Sequence, residues 1–329
     1  MTWGLVCAAG SAIAFSAKAI FVKLAYAAAP IDAITLLALR MAYAAPCYAV
    51  LLWWSGRGRP RWQPHALVRV VALGMLGYYL ASLLDFMGLV YVSAALERMV
   101  LFLYPTMVVV IGAALQRRPI SRAELWALLL SYAGIGAMMW HDLTVSDDAG
   151  ATLLGCALVF ASAVSYAIYL VGAQSLIAGV GSVRFTSAAI LVSSACVGLQ
   201  FAATRPLAQL AAPASVQLLA LAMGLLSTVL PTLLLGAAIK RIGSSRTALV
   251  GSMGPVATIG LAAMLLDEPV SLLELLGAGL VLAGVVLVSR PVRAASAGGS
   301  DAPAAADTSA TPDRDRVRDS ARSSSPSRS

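Results

Sequence analysis

The sequence is short of charge and shorter still of histidine. Of its 329 residues, 12% are Asp, Glu, Lys or Arg and two are His, where an ordinary soluble domain carries about 25% charged residues. His65 and His141 both fall at the ends of apolar runs, which leaves no histidine inside such a run to serve as a base or metal ligand. Cys7, Cys47, Cys156 and Cys196 lie within apolar runs and form no C-x-x-C pair, so they read as small packing residues and not as a disulfide or metal set. The phosphate-binding pattern G-x-x-x-x-G-K-[ST] is absent, which argues against ATP hydrolysis by this chain. No cofactor or metal is expected. Segments of about ten residues alternating in apolarity are also missing, which excludes a transmembrane β-barrel.

What the chain has is long apolar runs. Hydrophobic residues make up 60% of it and the mean hydropathy is +0.86. The runs fall at 3–24, 33–54, 70–92, 95–115, 123–140, 151–173, 185–203, 215–238, 247–266 and 270–289. Each approaches the roughly 20 residues that cross about 30 Å of hydrocarbon as an α-helix. The expected fold class is therefore an all-α integral membrane protein of ten transmembrane helices. The first run has no basic segment ahead of it and exceeds the usual apolar stretch of a secretory leader, so it is expected to stay as the first helix.

The net charge of +8 needs no nucleic acid to explain it, and none is expected as a partner. Arg57, Arg59, Arg61, Arg69, Arg117, Arg118, Arg122, Arg184, Lys240, Arg241, Arg246, Arg290 and Arg293 border the connections on one side of the runs. The other side has only Arg98 and Arg205, against Asp32, Glu97, Asp142, Asp147, Asp148, Asp267 and Glu268. By the positive-inside rule both termini are cytoplasmic, in a multi-pass protein of the cell membrane.

Shifting the chain by 150 positions aligns the fourth and fifth runs with the ninth and tenth. Pro105 meets Pro255, Pro119 meets Pro269, Ser121 meets Ser271, Glu124 meets Glu274, and Ala133-Gly134 meets Ala283-Gly284. Five runs per unit is an odd number, so the second unit enters the membrane from the opposite side. The expected organisation is two inverted five-helix repeats, 1–145 and 146–290, followed by a disordered cytoplasmic tail, 291–329, rich in Ala, Ser, Pro, Asp and Arg. Inverted repeats are how many secondary transporters alternate access to a site near the midplane. The shared P-x-S-x-x-E could pass for a catalytic motif. Its physical reading is a capping box, Ser accepting from an early helical N–H and Glu reaching back to the cap.

With its two five-span repeats, Arg40 in the second helix, Pro105 and Pro255 within their helices, and Glu268-Pro269-x-Ser271, residues 1 to 290 resemble the EamA-type drug/metabolite transporter superfamily. The resemblance implies a ten-helix bundle with a central cavity, cytoplasmic termini, and export or uptake of metabolites such as amino acids, export being favoured. The first repeat has Arg117-Arg118-Pro119 where the second has Asp267-Glu268-Pro269, a swap expected if the first turn faces the cytoplasm.

A charge at the centre of a membrane helix costs about 2.5–3.5 kcal/mol on insertion scales, so each needs a partner, water or a function. Lys18, Arg40 and Asp85 lie at one depth, about 8–12 Å below the outer surface at 1.5 Å per residue, where cation and carboxylate can meet. Tyr78, Ser82 and Asp85 share one helical face, as do Glu97, Leu101 and Tyr104 on the next helix. Pro105 and Pro255 are expected to kink their helices near the middle, exposing Tyr104 and Ser252 beside the breaks, with Tyr166 a candidate aromatic wall. Lys18, Arg40, Tyr78, Ser82, Asp85, Glu97, Arg98, Tyr104, Pro105, Tyr166, Ser252 and Pro255 are thus the candidate substrate-binding residues. Protons are the candidate coupling ion, through Asp85 or Glu97. The competing readings are an ion pair of Asp85 with Arg40 or Lys18 that only fixes packing, prolines that only serve packing, and an intramembrane enzyme or a channel in place of a transporter.

Overall fold

The computed structural model describes residues 2–289, apart from Arg61, Gln116, Arg118, Ser146 and Asp147, and among them it contains helices and turns with no strand. The expected tail at 291–329 and the charges at Arg61, Arg118, Asp147, Arg290 and Arg293 lie outside the described residues.

Among the described residues, seven helices are long and apolar enough to cross a membrane: α1 (Thr2–Ala28), α2 (Ala33–Gly56), α3 (Pro64–Gly88), α4 (Ala94–Leu115), α6 (Ala149–Val180), α7 (Ser182–Thr204) and α8 (Ala214–Ile242). Between α4 and α6 runs α5 (Arg122–Val145). After α8 come α9 (Ser244–Gly251), α10 (Gly254–Leu265) and α11 (Leu272–Ser289). Shorter apolar stretches occupy Glu124–Trp140, Gly254–Leu265 and Leu272–Gly284. Large apolar side chains such as Leu199, Leu218 and Leu272 point outward, and exposed Trp3, Trp53, Trp54, Trp126 and Trp140 all sit near helix ends. That placement suits the two headgroup levels of a bilayer, where tryptophan concentrates.

Successive helices run between two faces of the bundle. The basic face carries the start of α1, the ends of α2 and α8 and the start of α7. The opposite, acidic face carries the Asp32 and Asp148 helix caps. Contacts respect this alternation: the start of α1 at Gly4 packs against Ile242 at the end of α8, and the start of α6 at Gly155 packs against Val92 just beyond α3.

The departures from regular helix recur 150 positions apart. A wide π-type segment interrupts α3 at Met75–Leu80, and another interrupts α8 at Leu225–Val229. Gly74 and Gly224 precede them, and each permits a close crossing. A Cβ at Gly74 would stand 2.8 Å from the Ala189 carbonyl of α7, and one at Gly224 would stand 3.0 Å from the Arg40 carbonyl of α2. A hydrogen bond recurs with them, its acceptors 150 positions apart and its donors 151. Ser162 donates to the Ala81 carbonyl at 2.7 Å, and Ser11 donates to the Pro231 carbonyl at 2.9 Å.

The prolines act differently from the expected mid-helix kinks. α4 breaks at Phe102-Leu103 and resumes at Tyr104, so Pro105 stands in the first turn of the resumed helix. Pro255 stands likewise in the first turn of α10, after Ser252-Met253. In a first turn the missing N–H costs no hydrogen bond. The break itself is a tight turn, Leu103 N–H donating to the Val100 carbonyl and Met253 N–H to the Val250 carbonyl, each at 3.1 Å.

Both capping boxes form. Glu124 accepts from Ser121 N–H at 2.7 Å while Ser121 Oγ accepts from Glu124 N–H at 3.2 Å, and the Ser271–Glu274 pair matches it at 3.0 and 3.1 Å. The helices they start, α5 and α11, cross antiparallel. Gly134 faces Gly277, Leu280 and Val281, while one turn on Met138 has moved back along α11 to Gly277.

The core is unequal between the two faces. In the acidic half a large cluster is continuous across α1, α2, α3, α7, α8 and α10, and holds Ile20, Leu36, Leu37, Phe86, Leu89, Phe201, Val216 and Met223, and a second joins α4, α5, α6, α10 and α11 through Leu96, Met99, Met138, Val159, Ile259 and Val281. In the basic half, separate clusters tie α1 to α8 (Cys7, Ala8, Ala238, Ile242) and α3 to α6 and α7 (Val70, Leu73, Tyr169, Phe185).

Candidate functional site

Between those two basic-half clusters lies a cavity of about 420 Å³, within the usual range for small-molecule sites. Along α1 its lining runs from Ala8 through Ser11, Ala12 and Phe15 to Lys18. Beyond Lys18 the α1 residues Ala19, Ile20 and Val22 are packed in the acidic-half cluster. The cavity therefore extends toward the basic face and ends on a floor of charged side chains.

At that floor Lys18 Nζ lies 2.6 Å from Asp85 Oδ2 and 3.2 Å from Glu97 Oε1. Asp85 and Glu97 are buried. Two carboxylates gathered on one ammonium group leave one negative charge over, and a single proton held between them neutralises the triad. Glu97 belongs to α4, the helix whose face it shares with Leu101 and Tyr104. Ser93 caps that helix by accepting from Leu96 N–H at 3.1 Å, which starts it early enough to bury Glu97 against Lys18.

Arg40 does not pair with Asp85. Its Nε donates to Thr228 Oγ1 at 3.1 Å, its guanidinium lies 5.3 Å from the Phe86 ring centre, and Nη1 has no partner. Thr228 sits in the wide turn of α8 and passes its own hydroxyl hydrogen to the Met223 carbonyl at 2.8 Å. Arg98 lies against the break before α10. A Cβ at Gly254 would come within 2.7 Å of its Nη2, so only glycine leaves the guanidinium its place. Its Nε is buried without a partner.

Tyr78, Ser82 and Asp85 all line the cavity, as the shared helical face predicted, and so do Leu101, Tyr104, Tyr166 and Ser252. Glu97 stands behind the lining and reaches it through Lys18. Pro105 and Pro255 do not line it. The aromatic wall is a connected set: ring centres are 5.2 Å apart for Tyr104–Tyr166, 5.5 Å for Tyr166–Tyr169 and 5.1 Å for Tyr78–Tyr169. Phe15, Ser227, Thr228, Thr232 and Thr247 also line it and went unnoticed in the sequence. The 150-residue shift puts Thr228 opposite Tyr78 and Thr232 opposite Ser82, which was the available signal.

On the acidic face the two halves are tied together. Arg205 Nε lies 3.2 Å from Asp32 Oδ1, and Thr35 Oγ1 donates to Asp32 Oδ2 at 2.7 Å and lies 3.1 Å from Gln209 Oε1. Burial works against the Asp32 charge, but the hydrogen bonds from Thr35 and Arg205 outweigh it and hold the carboxyl below its ordinary value.

Comparison with known proteins bears on this arrangement. The model of the EamA-like transporter family matches twice, over residues 2–140 and 153–290. The chain is 29% identical over 275 residues to the uncharacterized transporter YcbK of Bacillus subtilis, covering 81% of this chain and 86% of that one. An uncharacterized transporter of Archaeoglobus fulgidus is 26% identical over 270 residues, covering 82% and 93% respectively. A crystal structure of 17% sequence identity superposes with a TM-score of 0.59 over 87% of this chain and 96% of its own, a likeness of fold.

Proposed function

This chain belongs to the EamA-like transporter family and is a membrane transporter, and on that premise we propose that it is a secondary transporter moving a small metabolite by alternating access. The observation that carries the reading is a cavity lined from both halves of the chain, with a packed core beyond one end of it and divided clusters beside the other. Counting the three shorter apolar stretches with the seven long helices gives ten spans, as two inverted units, 1–145 and 146–290. The wide turns, breaks, capping boxes and glycine crossings repeating 150 positions apart support that division. We place the protein in the cell membrane with both termini, and hence the basic face, in the cytoplasm. The conformation described here is then the inward-facing one, and the outward-facing one requires the acidic face to part.

Protons are the proposed coupling ion, carried by Asp85 and Glu97 on Lys18. Net direction follows the gradients of cargo and proton. With the full-length chain in proteoliposomes and labelled metabolites as cargo, flux under an imposed pH gradient is expected to lose its pH dependence in Asp85→Asn. Unchanged pH-dependent flux in that variant would remove Asp85 from the coupling.

A further inference from the structure

We propose that the cavity selects an organic anion with a flat apolar body, an aromatic carboxylate being the class that fits. This deepens the transporter reading and rests on it for the statement that the bound molecule is cargo.

The charge balance decides the sign. Lys18 is committed to two carboxylates at 2.6 and 3.2 Å, so the three groups together carry one negative charge, or none when a proton is shared. Arg40 and Arg98 remain, and the lining is net positive in either case. The unsatisfied donors point the same way. Arg40 Nη1, Arg98 Nε and Ser227 Oγ are buried, have no hydrogen-bond partner, and belong to side chains that line the cavity. Arg40 as a residue is only 7% exposed. A buried guanidinium N–H without an acceptor is costly, and a carboxylate is the acceptor whose planar geometry matches a guanidinium fork. The unpartnered oxygens, Asp85 Oδ1 and Glu97 Oε2, belong to the two groups that share Lys18. Their carboxylates already face the Lys18 ammonium and the lining as a whole is net positive, so they do not call for an ammonium on the cargo.

Shape decides the rest of the class. Phe15, Tyr78, Phe102, Tyr104 and Tyr166 line the same cavity, and a volume of about 420 Å³ admits one ring with a short side chain. Aromatic rings gain from stacked and edge-on contacts beyond their buried area, so a planar body is favoured over a sugar or a polyol.

A matched series tests this on the full-length chain: 3-phenylpropanoate, L-phenylalanine, 2-phenylethylamine and 3-phenylpropanamide share a skeleton and differ in charge. Thermal stabilisation in detergent should be largest for the propanoate, and flux into proteoliposomes should follow the same order. Arg40→Gln and Arg98→Gln should each weaken propanoate binding by about tenfold or more, with Arg40→Lys intermediate because it keeps charge and loses the fork. Preference for the amine, the amide or phenylalanine over the propanoate would overturn the proposal, as would undiminished propanoate binding in both Gln variants. Selective propanoate binding without flux would support the anion site and count against the transporter reading alone.

Discussion

A Lys18→Met chain is expected to lose about 3–5 kcal/mol of stability, the usual result of removing one partner from a buried ion pair, together with its flux. The cost arises because Asp85 and Glu97 then face each other in the bundle with no cation between them. Thermal unfolding of the detergent-solubilised variant and the parent checks this. If the variant matches the parent, the triad contributes nothing to the fold.

The second large effect is steric. A methyl group at Gly77, inside the wide turn of α3, would overlap the Cβ and Cγ atoms of Tyr169. Tyr169 is buried and its ring centre is 5.9 Å from that of Phe185 and 5.1 Å from that of Tyr78, so the ring has no free direction in which to move. Gly77→Ala is expected to cost about 1–3 kcal/mol by overpacking, despite alanine's advantage of about 1 kcal/mol over glycine in a helix. Gly112→Ala is the control. Nothing lies within 4 Å of its Cβ position, so the change should be neutral or stabilising. Equal melting temperatures for the two variants would mean that the aromatic wall is not packed as described.

These residues also show how far the sequence could be read. The meeting of Lys18 with Asp85 followed from their equal depth, because counting residues along apolar runs measures distance along the membrane normal. The face made by Tyr78, Ser82 and Asp85 followed from helical spacing, and it survives because the wide turn at Met75–Leu80 precedes most of that face. The capping boxes were legible because Ser and Glu three apart at a helix start have few other uses. The burial of Glu97 is not legible, because a carboxylate near the start of an apolar run normally reaches the interface, and only the packing of α4 against Lys18 makes burial tolerable. Whether Asp85 meets Arg40 or Lys18 stays open in the sequence. Depth says which groups can meet but not which way around the helix they point, and Thr228 became available only through a wide turn with no sequence signature beyond a preceding glycine.

The repeat is inexact where charge is concerned. At 150 positions beyond Lys18, Asp85 and Glu97 stand Ile168, Leu235 and Thr247. Two halves that share wide turns, breaks and glycine crossings thus differ in that only the first carries the buried triad. A cavity between them has a charged floor at one end and no counterpart at the other.

The proposed alternating access requires the acidic face to open, and the contact joining Asp32 to Arg205 lies across it. In a chain with the four native cysteines replaced, Asp32→Cys and Arg205→Cys can be bridged by a short, reducible bifunctional thiol reagent, and flux measured in proteoliposomes before bridging, after it, and after reduction. The account predicts flux in the unbridged chain, loss of flux on bridging and its return on reduction. Undiminished flux through a fully bridged chain would contradict it.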